Sequence, residues 1–475
     1  MTYQAKAERN MNNRQTKVTR RRLRLATAIL MLASLFLSDG HHVVAAAQGT
    51  KAATVVENDR ARFDALRAEG FESLYNLDYE EARRRFRDLT RSFPDHPAGP
   101  QFLAASLWVQ TLNESRRLQA SLYNTDSFYA KTEEKTDPKL IAEFRELTGQ
   151  AKRLAEARLK RDAKDAEALY FLGAVEGLRA AFAAAVERSF ISALRDGQNS
   201  VEHHREVLKL DPTFHDAEIS IGTYDYVVAT LPLPVKILAT VGGVRGSRKR
   251  GLETLARVAR EGKWAKDDAK VLLMGLLKRE ERYTDALQLA RDLAAKYPRN
   301  YLFKLEAADA LVAQAAVERQ TAPTVAANAE RKAFAIFDAL LQPERTTKAR
   351  GVANSPATSL RPRDLIHFTY GEALLTAGQT ERAAREFLLA AAGAEPGLAT
   401  MARLRAAQAL DLAGQRREAI VHYTGVLTRP NVYDSHQEAK RGLREPYRKP
   451  ATVAAPNQRN NANNVSDAGR GETRQ

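Results

Sequence analysis

The chain contains no cysteine among its 475 residues. That excludes a disulfide framework, a thiolate nucleophile, a lipid-modified cysteine and a cysteine-ligated zinc. Stability must come from packing alone, and a thiol-free chain suits an oxidising compartment. Aromatic residues are sparse, at 7%. The cations are scattered rather than set in a stripe beside stacking rings, so no nucleic-acid partner is expected. Catalytic signatures are missing too. There is no Gly-x-Ser-x-Gly elbow, no His-Glu-x-x-His helix, no calcium loop and no phosphate loop ending in Gly-Lys-Ser or Gly-Lys-Thr. The expectation is a protein that is not an enzyme and needs no cofactor and no metal.

Long hydrophobic runs are also lacking. The clearest apolar stretch is Leu25–Leu37, 13 residues. A hydrocarbon layer of about 30 Å needs roughly 20. The stretch follows Arg20-Arg21-Arg22-Leu23-Arg24 and precedes the small residues Ala45-Ala46-Ala47. Basic, apolar and small segments in that order predict a secretory signal over residues 1–47, cut after Ala47. An uncleaved anchor, lengthened by His41 to Val44, is the alternative. Export to the periplasm or cell envelope follows from either. The full chain carries a net charge of +16, and removing residues 1–47 leaves +10. The mature chain would favour anionic partners.

What is present is a repeat. Gly378, Ala383, Phe387 and Ala390 recur as Gly414, Ala419, Tyr423 and Val426, each displaced by 36 residues. Tyr79, Ala82, Phe86, Leu89 and Pro94 recur as Tyr283, Ala286, Ala290, Leu293 and Pro298, each displaced by 204, or six periods of 34. Such periods mark stacked helical hairpins that bury their apolar faces only against neighbours. The first hairpin, residues 56–97, resembles the tetratricopeptide-repeat family. Gly70 and Ala82 stand where two helices touch, Phe86 stands as the aromatic anchor of the second helix, and Pro94 closes the unit. The resemblance implies an all-α, right-handed superhelical solenoid of about seven hairpins, whose concave face binds a protein, peptide or partner helix.

The predicted layout is an amino-terminal block with an irregular insert (56–163), a central array (164–345) and a carboxy-terminal pair with a capping helix (362–446). A tail over 449–475, with no apolar period, is expected to be disordered. Ala166 to Leu194 reads as one extended helix. Within the central array, 224–251 is the least regular segment, and its apolar part, Leu231 to Val241, could instead carry a small or lipidic ligand.

Candidate binding residues follow from the first helices of the hairpins. Tyr170, Thr223, Tyr226, Lys278, Glu372, Gln408 and Asp411 project from them and could meet a partner, or could be solvated groove residues. Arg245, Arg248 and Lys249 flank a glycine-rich turn before a helix and could hold an anion on exposed backbone N–H groups. A solvated basic edge is the plainer reading. His203 and His204 are adjacent, so on a helix they diverge by about 100° and do not converge on a metal. His204 falls at a second-helix anchor position and is expected to be packed.

Overall fold

The computed structural model describes residues 50–117, 136–230, 245–343 and 361–449. Seventeen α-helices and no strand occur among them. In order they are α1 (Thr50–Tyr75), α2 (Tyr79–Ser92), α3 (Ala98–Glu114), α4 (Pro138–Arg161), α5 (Ala166–Ala185) and α6 (Phe190–Leu210). Then come α7 (Glu218–Thr230), α8 (Arg248–Glu261), α9 (Lys266–Arg279), α10 (Tyr283–Lys296), α11 (Tyr301–Glu318) and α12 (Pro323–Leu341). The last are α13 (Arg363–Thr376), α14 (Thr380–Ala391), α15 (Pro396–Leu412), α16 (Arg416–Leu427) and α17 (Ser435–Arg444).

Each odd-numbered helix from α1 to α15 packs against the even-numbered helix that follows, making eight hairpins among the described residues where the sequence suggests about seven. Each hairpin then packs on the next, without a break at the expected block boundaries: α4 lies on α5, and α11 and α12 lie on α13. Helix α17 covers α16 and α15, as a capping helix should. The signal-like segment, the tail from residue 450 onward and the apolar stretch Leu231 to Val241 lie outside the described residues.

The repeated positions are the core positions. Ala82, Phe86 and Leu89, and their counterparts Ala286, Ala290 and Leu293, are buried. So are Ala383, Phe387 and Ala390, with Ala419, Tyr423 and Val426. The turns repeat as well. In six hairpins the chain leaves the first helix through a residue with positive φ: Leu77 (64°), Arg116 (58°), Arg188 (56°), Glu281 (60°), Gly378 (81°) and Gly414 (77°). In five of them the next residue donates back to a carbonyl five positions earlier: Asp78 to Ser73, Arg117 to Leu112, Arg282 to Leu277, Gln379 to Leu374 and Gln415 to Leu410, at 2.6–2.9 Å. This is the Schellman closure that satisfies helix-end carbonyls and favours glycine at its left-handed residue. Glycine holds that place in the last two hairpins; Leu77 and Glu281 hold it at a strain cost.

One expectation is corrected. Ala166 to Leu194 is two helices, because α5 ends at Ala185 and Arg188 adopts φ 56° before α6 begins. The left-handed residue reverses the chain, so the pair forms an ordinary hairpin. Helix α5 is also the one described helix long and apolar enough to cross a membrane, and it is buried inside the stack.

Candidate functional site

The first hairpin reaches residues far along the array. Helix α1 lies against α9 to α11, far along the chain. Arg60 and Arg67 sit over the Trp264 ring, at 5.4 and 5.6 Å from its centroid. Tyr75 stacks on Tyr297 with centroids 4.7 Å apart and donates its hydroxyl to Asp268. Asn300 donates to the Tyr75 carbonyl at 2.7 Å, and the Arg299 amide donates to Asn76 at 3.2 Å. The same closure continues along the stack. Tyr301 donates to Asn113 at 2.8 Å, Arg116 reaches Asp364 at 3.2 Å, and Arg117 donates to the Tyr433 hydroxyl at 2.9 Å. The amino-terminal hairpins thus pack against the later ones.

The residues expected to face a partner are drawn into this interior. Tyr170 is fully buried, stacked between His204 and Phe214 at 5.0 Å from each. Burial pushes its hydroxyl well above the usual tyrosine range. Thr223 is buried and donates to the Ile219 carbonyl at 2.7 Å. Tyr226 is buried with its hydroxyl 2.6 Å from Glu280. Lys278 is buried and paired with Glu306 at 2.5 Å and with Asp309. Burial opposes its charge, but the two carboxylates outweigh that and raise its pKa. Both oxygens of Glu372 are bonded by Arg405, at 2.5 and 2.6 Å, and Arg405 also donates to the buried Gln408 at 2.8 Å. Asp411 accepts from Arg416 at 3.0 Å, the Tyr423 hydroxyl at 2.9 Å and the Tyr447 amide at 2.8 Å. Tyr170, Tyr226, Lys278, Glu372 and Asp411 thus contact other helices or turns, while Thr223 and Gln408 bond within their own helices. The physical reason is stacking: neighbouring helices and hairpins cover these side chains, and buried polar groups must be satisfied internally.

The basic edge stays outside. Arg245 and Lys249 are exposed at the start of α8, and Arg248 is 3.5 Å from Glu280. Lys249 lies 3.9 Å from Glu253, so two of the three cations already have carboxylate neighbours. His203 and His204 do not converge. His204 is fully buried; its Nε2 donates to the Tyr170 carbonyl at 3.0 Å, which leaves Nδ1 to accept from the Ser220 hydroxyl at 2.7 Å. Burial pushes its pKa down to about 3. No group of three His, Asp or Glu side chains able to hold a metal occurs among the described residues.

An open cleft that the sequence does not reveal forms at the turn edge of the first hairpins. It measures about 510 Å³ and lies between the α2–α3 turn (Phe93, Pro94, His96) and the α4–α5 turn (Arg158, Arg161, Asp165). Its floor is fixed by charge. Arg158 donates to Asp165 at 2.8 and 3.1 Å and to Glu167 at 3.0 Å, and Arg60 reaches Glu167 at 3.2 Å. Burial opposes the Glu167 charge, yet His96, Arg158 and Arg60 hold its carboxyl well below the usual range. The rim carries exposed Asp95, Arg161 and Asp162. Turns brought together by stacking leave no periodic signal, so only the fold shows this site.

The helix contacts decide the architecture. In three hairpins a first-helix glycine receives the ring of the second-helix anchor: Gly70 under Phe86, Gly173 under His204 and Gly371 under Phe387. A Cβ on Gly371 would stand 2.7 Å from the Phe387 ring. The protein is an all-α array of stacked helical hairpins, and these contacts resemble those of the tetratricopeptide type. No family model matches the chain, and no curated protein matches it. Among solved structures it is similar to the human IFIT1 dimer with PPP-AAAA, at 12% identity over 87% of this chain and 88% of that one, with a TM-score of 0.42. It is similar also to yeast Tom70, at 10% identity over 80% and 95% of the two chains, with a TM-score of 0.34. A tetratricopeptide repeat protein from Parabacteroides merdae matches at 12% identity over 70% and 92%, with a TM-score of 0.26. Likenesses this loose assign no ligand or partner to this array.

Proposed function

We propose that this array is an exported scaffold that binds a protein partner at the periplasm or cell envelope, and that the cleft between the α2–α3 and α4–α5 turns receives a polar segment of that partner. The observation that carries the reading is the cleft itself: an open cavity of about 510 Å³ bordered by two turns. Its ion pairs are already formed, so little ordering cost falls on binding. Its rim offers both signs of charge, which suits a mixed polar segment and fixes its direction. Export rests on the basic, apolar and small segments of residues 1–47. The reading is one of binding rather than catalysis, and of protein rather than nucleic acid, because many arginines of the array already hold carboxylates.

The missing cysteine makes the test clean, since one introduced thiol is unique. Arg161→Cys carrying a photoactivatable cross-linker should give one discrete adduct in intact cells, whereas the same probe at exposed Lys332 should not. Equal adduct patterns at both positions, or none at Arg161, would reject the cleft. Sequencing the amino terminus of the native protein should find it beginning after Ala47. Retardation of the protein by single-stranded RNA in a gel would overturn the choice of a protein partner.

A further inference from the structure

Many arginines of this array lie against a carboxylate: Arg257 against Glu218, Arg405 against Glu372, Arg416 against Asp411. The last hairpin contains an exception. Arg403 projects from α15 onto α16, where Gly425 leaves room for it. A Cβ on Gly425 would meet the Arg403 guanidinium nitrogen at 3.1 Å and its Cδ at 3.3 Å. His422 of α16 lies three residues before Gly425, and Arg429 four residues after it, just past the end of that helix, so by helical spacing both share the face that Arg403 covers. All three are half-buried. Among the described residues, no hydrogen bond or ion pair neutralises the side chain of Arg403 or Arg429. The Arg403 Nε and the His422 Nδ1 are both shut off from water with no partner.

This arrangement is electrostatically unfinished. Burial and then the Arg403 charge push the His422 pKa down, with Glu418 alone pulling it up. Burial and Arg403 push Arg429 down as well. The Arg429 backbone carbonyl is meanwhile held by His436 of α17 at 2.8 Å, which keeps the loop in place. Two guanidiniums and an imidazole crowd together without the carboxylate that attends so many of their counterparts. A buried polar N–H left unpaired is costly, and a partly desolvated cation pair more so.

We propose that Arg403, His422 and Arg429 form a binding site for a tetrahedral oxyanion of the phosphate class. Guanidiniums present planar forks of N–H donors that match such an anion. Protonation of His422 adds a third positive charge beside the anion, so anion binding and protonation of His422 reinforce one another. The site lies on the carboxy-terminal hairpin, away from the cleft, and does not depend on the partner proposed for it.

Inorganic phosphate is the first probe, titrated into the full exported chain at constant ionic strength. The His422 ring resonances should shift saturably, and the His422 pKa should rise in phosphate. Arg403→Gln and Arg429→Gln should each weaken binding roughly tenfold, the scale of one charge-assisted contact. Arg403→Lys keeps the charge without the fork, and should fall between them and the unaltered protein. Lys332→Gln should change nothing. Vesicles containing phosphatidic acid form the second arm. Binding abolished by Arg403→Gln identifies a lipid headgroup as the source, and no vesicle binding identifies a soluble anion. A His422 ring indifferent to phosphate, or an Arg403→Gln protein that folds and binds phosphate undiminished, overturns the proposal.

Discussion

Asn300 joins the two ends of this array's closure, and replacing it isolates what that closure contributes. The side chain is buried and serves two helices at once. Its Oδ1 accepts from the Leu302 amide at 3.0 Å, capping the start of α11. Its Nδ2 donates at 2.7 Å to the carbonyl of Tyr75, the last residue of α1, 225 positions away. Asn300→Ala removes both bonds. Loss of an N-cap costs about 1 kcal/mol. A buried helix-end carbonyl left without a donor costs about 1–3 kcal/mol more. The expected loss is therefore about 2–4 kcal/mol in urea unfolding. Asn300→Asp separates the two parts. The carboxylate still caps α11, and its charge suits a helix amino terminus. It cannot donate to Tyr75, so the tether is lost, at about 1–3 kcal/mol. A repeat array need not unfold in one step, so a single transition is not the decisive readout. Amide exchange resolved by residue is. In Asn300→Asp, the last turn of α1 should exchange faster while the first turn of α11 stays protected. Equal protection of Phe71 to Tyr75 in the variant and the parent would refute the reasoning, because α1 would then be held without its distant partner.

Three further outcomes follow from the same structure. Asp216 accepts three amide N–H groups, from Lys263 at 3.3 Å, Trp264 at 3.0 Å and Ala265 at 2.7 Å, ahead of α9. Burial pushes its pKa up, so ionising it weakens the fold as pH rises. Asp216→Ala should cost about 2–4 kcal/mol in urea unfolding, whereas Asp216→Asn, which keeps an acceptor and removes the buried charge, should stay within about 1 kcal/mol of the parent. Glu281→Gly relieves a left-handed residue where the last two hairpins use glycine, and should raise stability by about 1 kcal/mol; a lower melting temperature would contradict the turn assignment. His204 has a folded-state pKa of about 3 against 6.5 for an unperturbed ring. Between those values the unfolded chain binds the extra proton. Stability from this group is therefore whole above pH 6.5 and falls as pH drops through the window, by at most about 1.4 kcal/mol per unit. Melting temperatures should decline across that range, and His204→Gln should flatten the slope.

Much of the fold was legible in the chain because its signals are local and repeated. Ala383, Phe387 and their counterparts 36 residues on are buried because a hairpin must hide one face, and the period reports that need directly. The capping helix Ser435–Arg444 was legible for the same reason, since its polar face has to end the stack. The packed His204 followed from its anchor position. The break between α5 and α6 was not legible, because a positive φ at Arg188 leaves no mark in composition.

The sequence by itself determined the building unit, a hairpin whose small residues admit rings, and most of its pairings and turns, the α5–α6 turn excepted. Those contacts lie within one or two periods, and each is encoded by the residues that make it. Only the tertiary structure decided how the units coil onto one another. That depends on small rotations accumulated over many hairpins, and no single residue encodes it. The accumulated coiling brings Tyr75 to Asn300 and Arg116 to Asp364, while the packing of neighbouring hairpins buries Tyr170 and Lys278 and opens a cleft between the α2–α3 and α4–α5 turns.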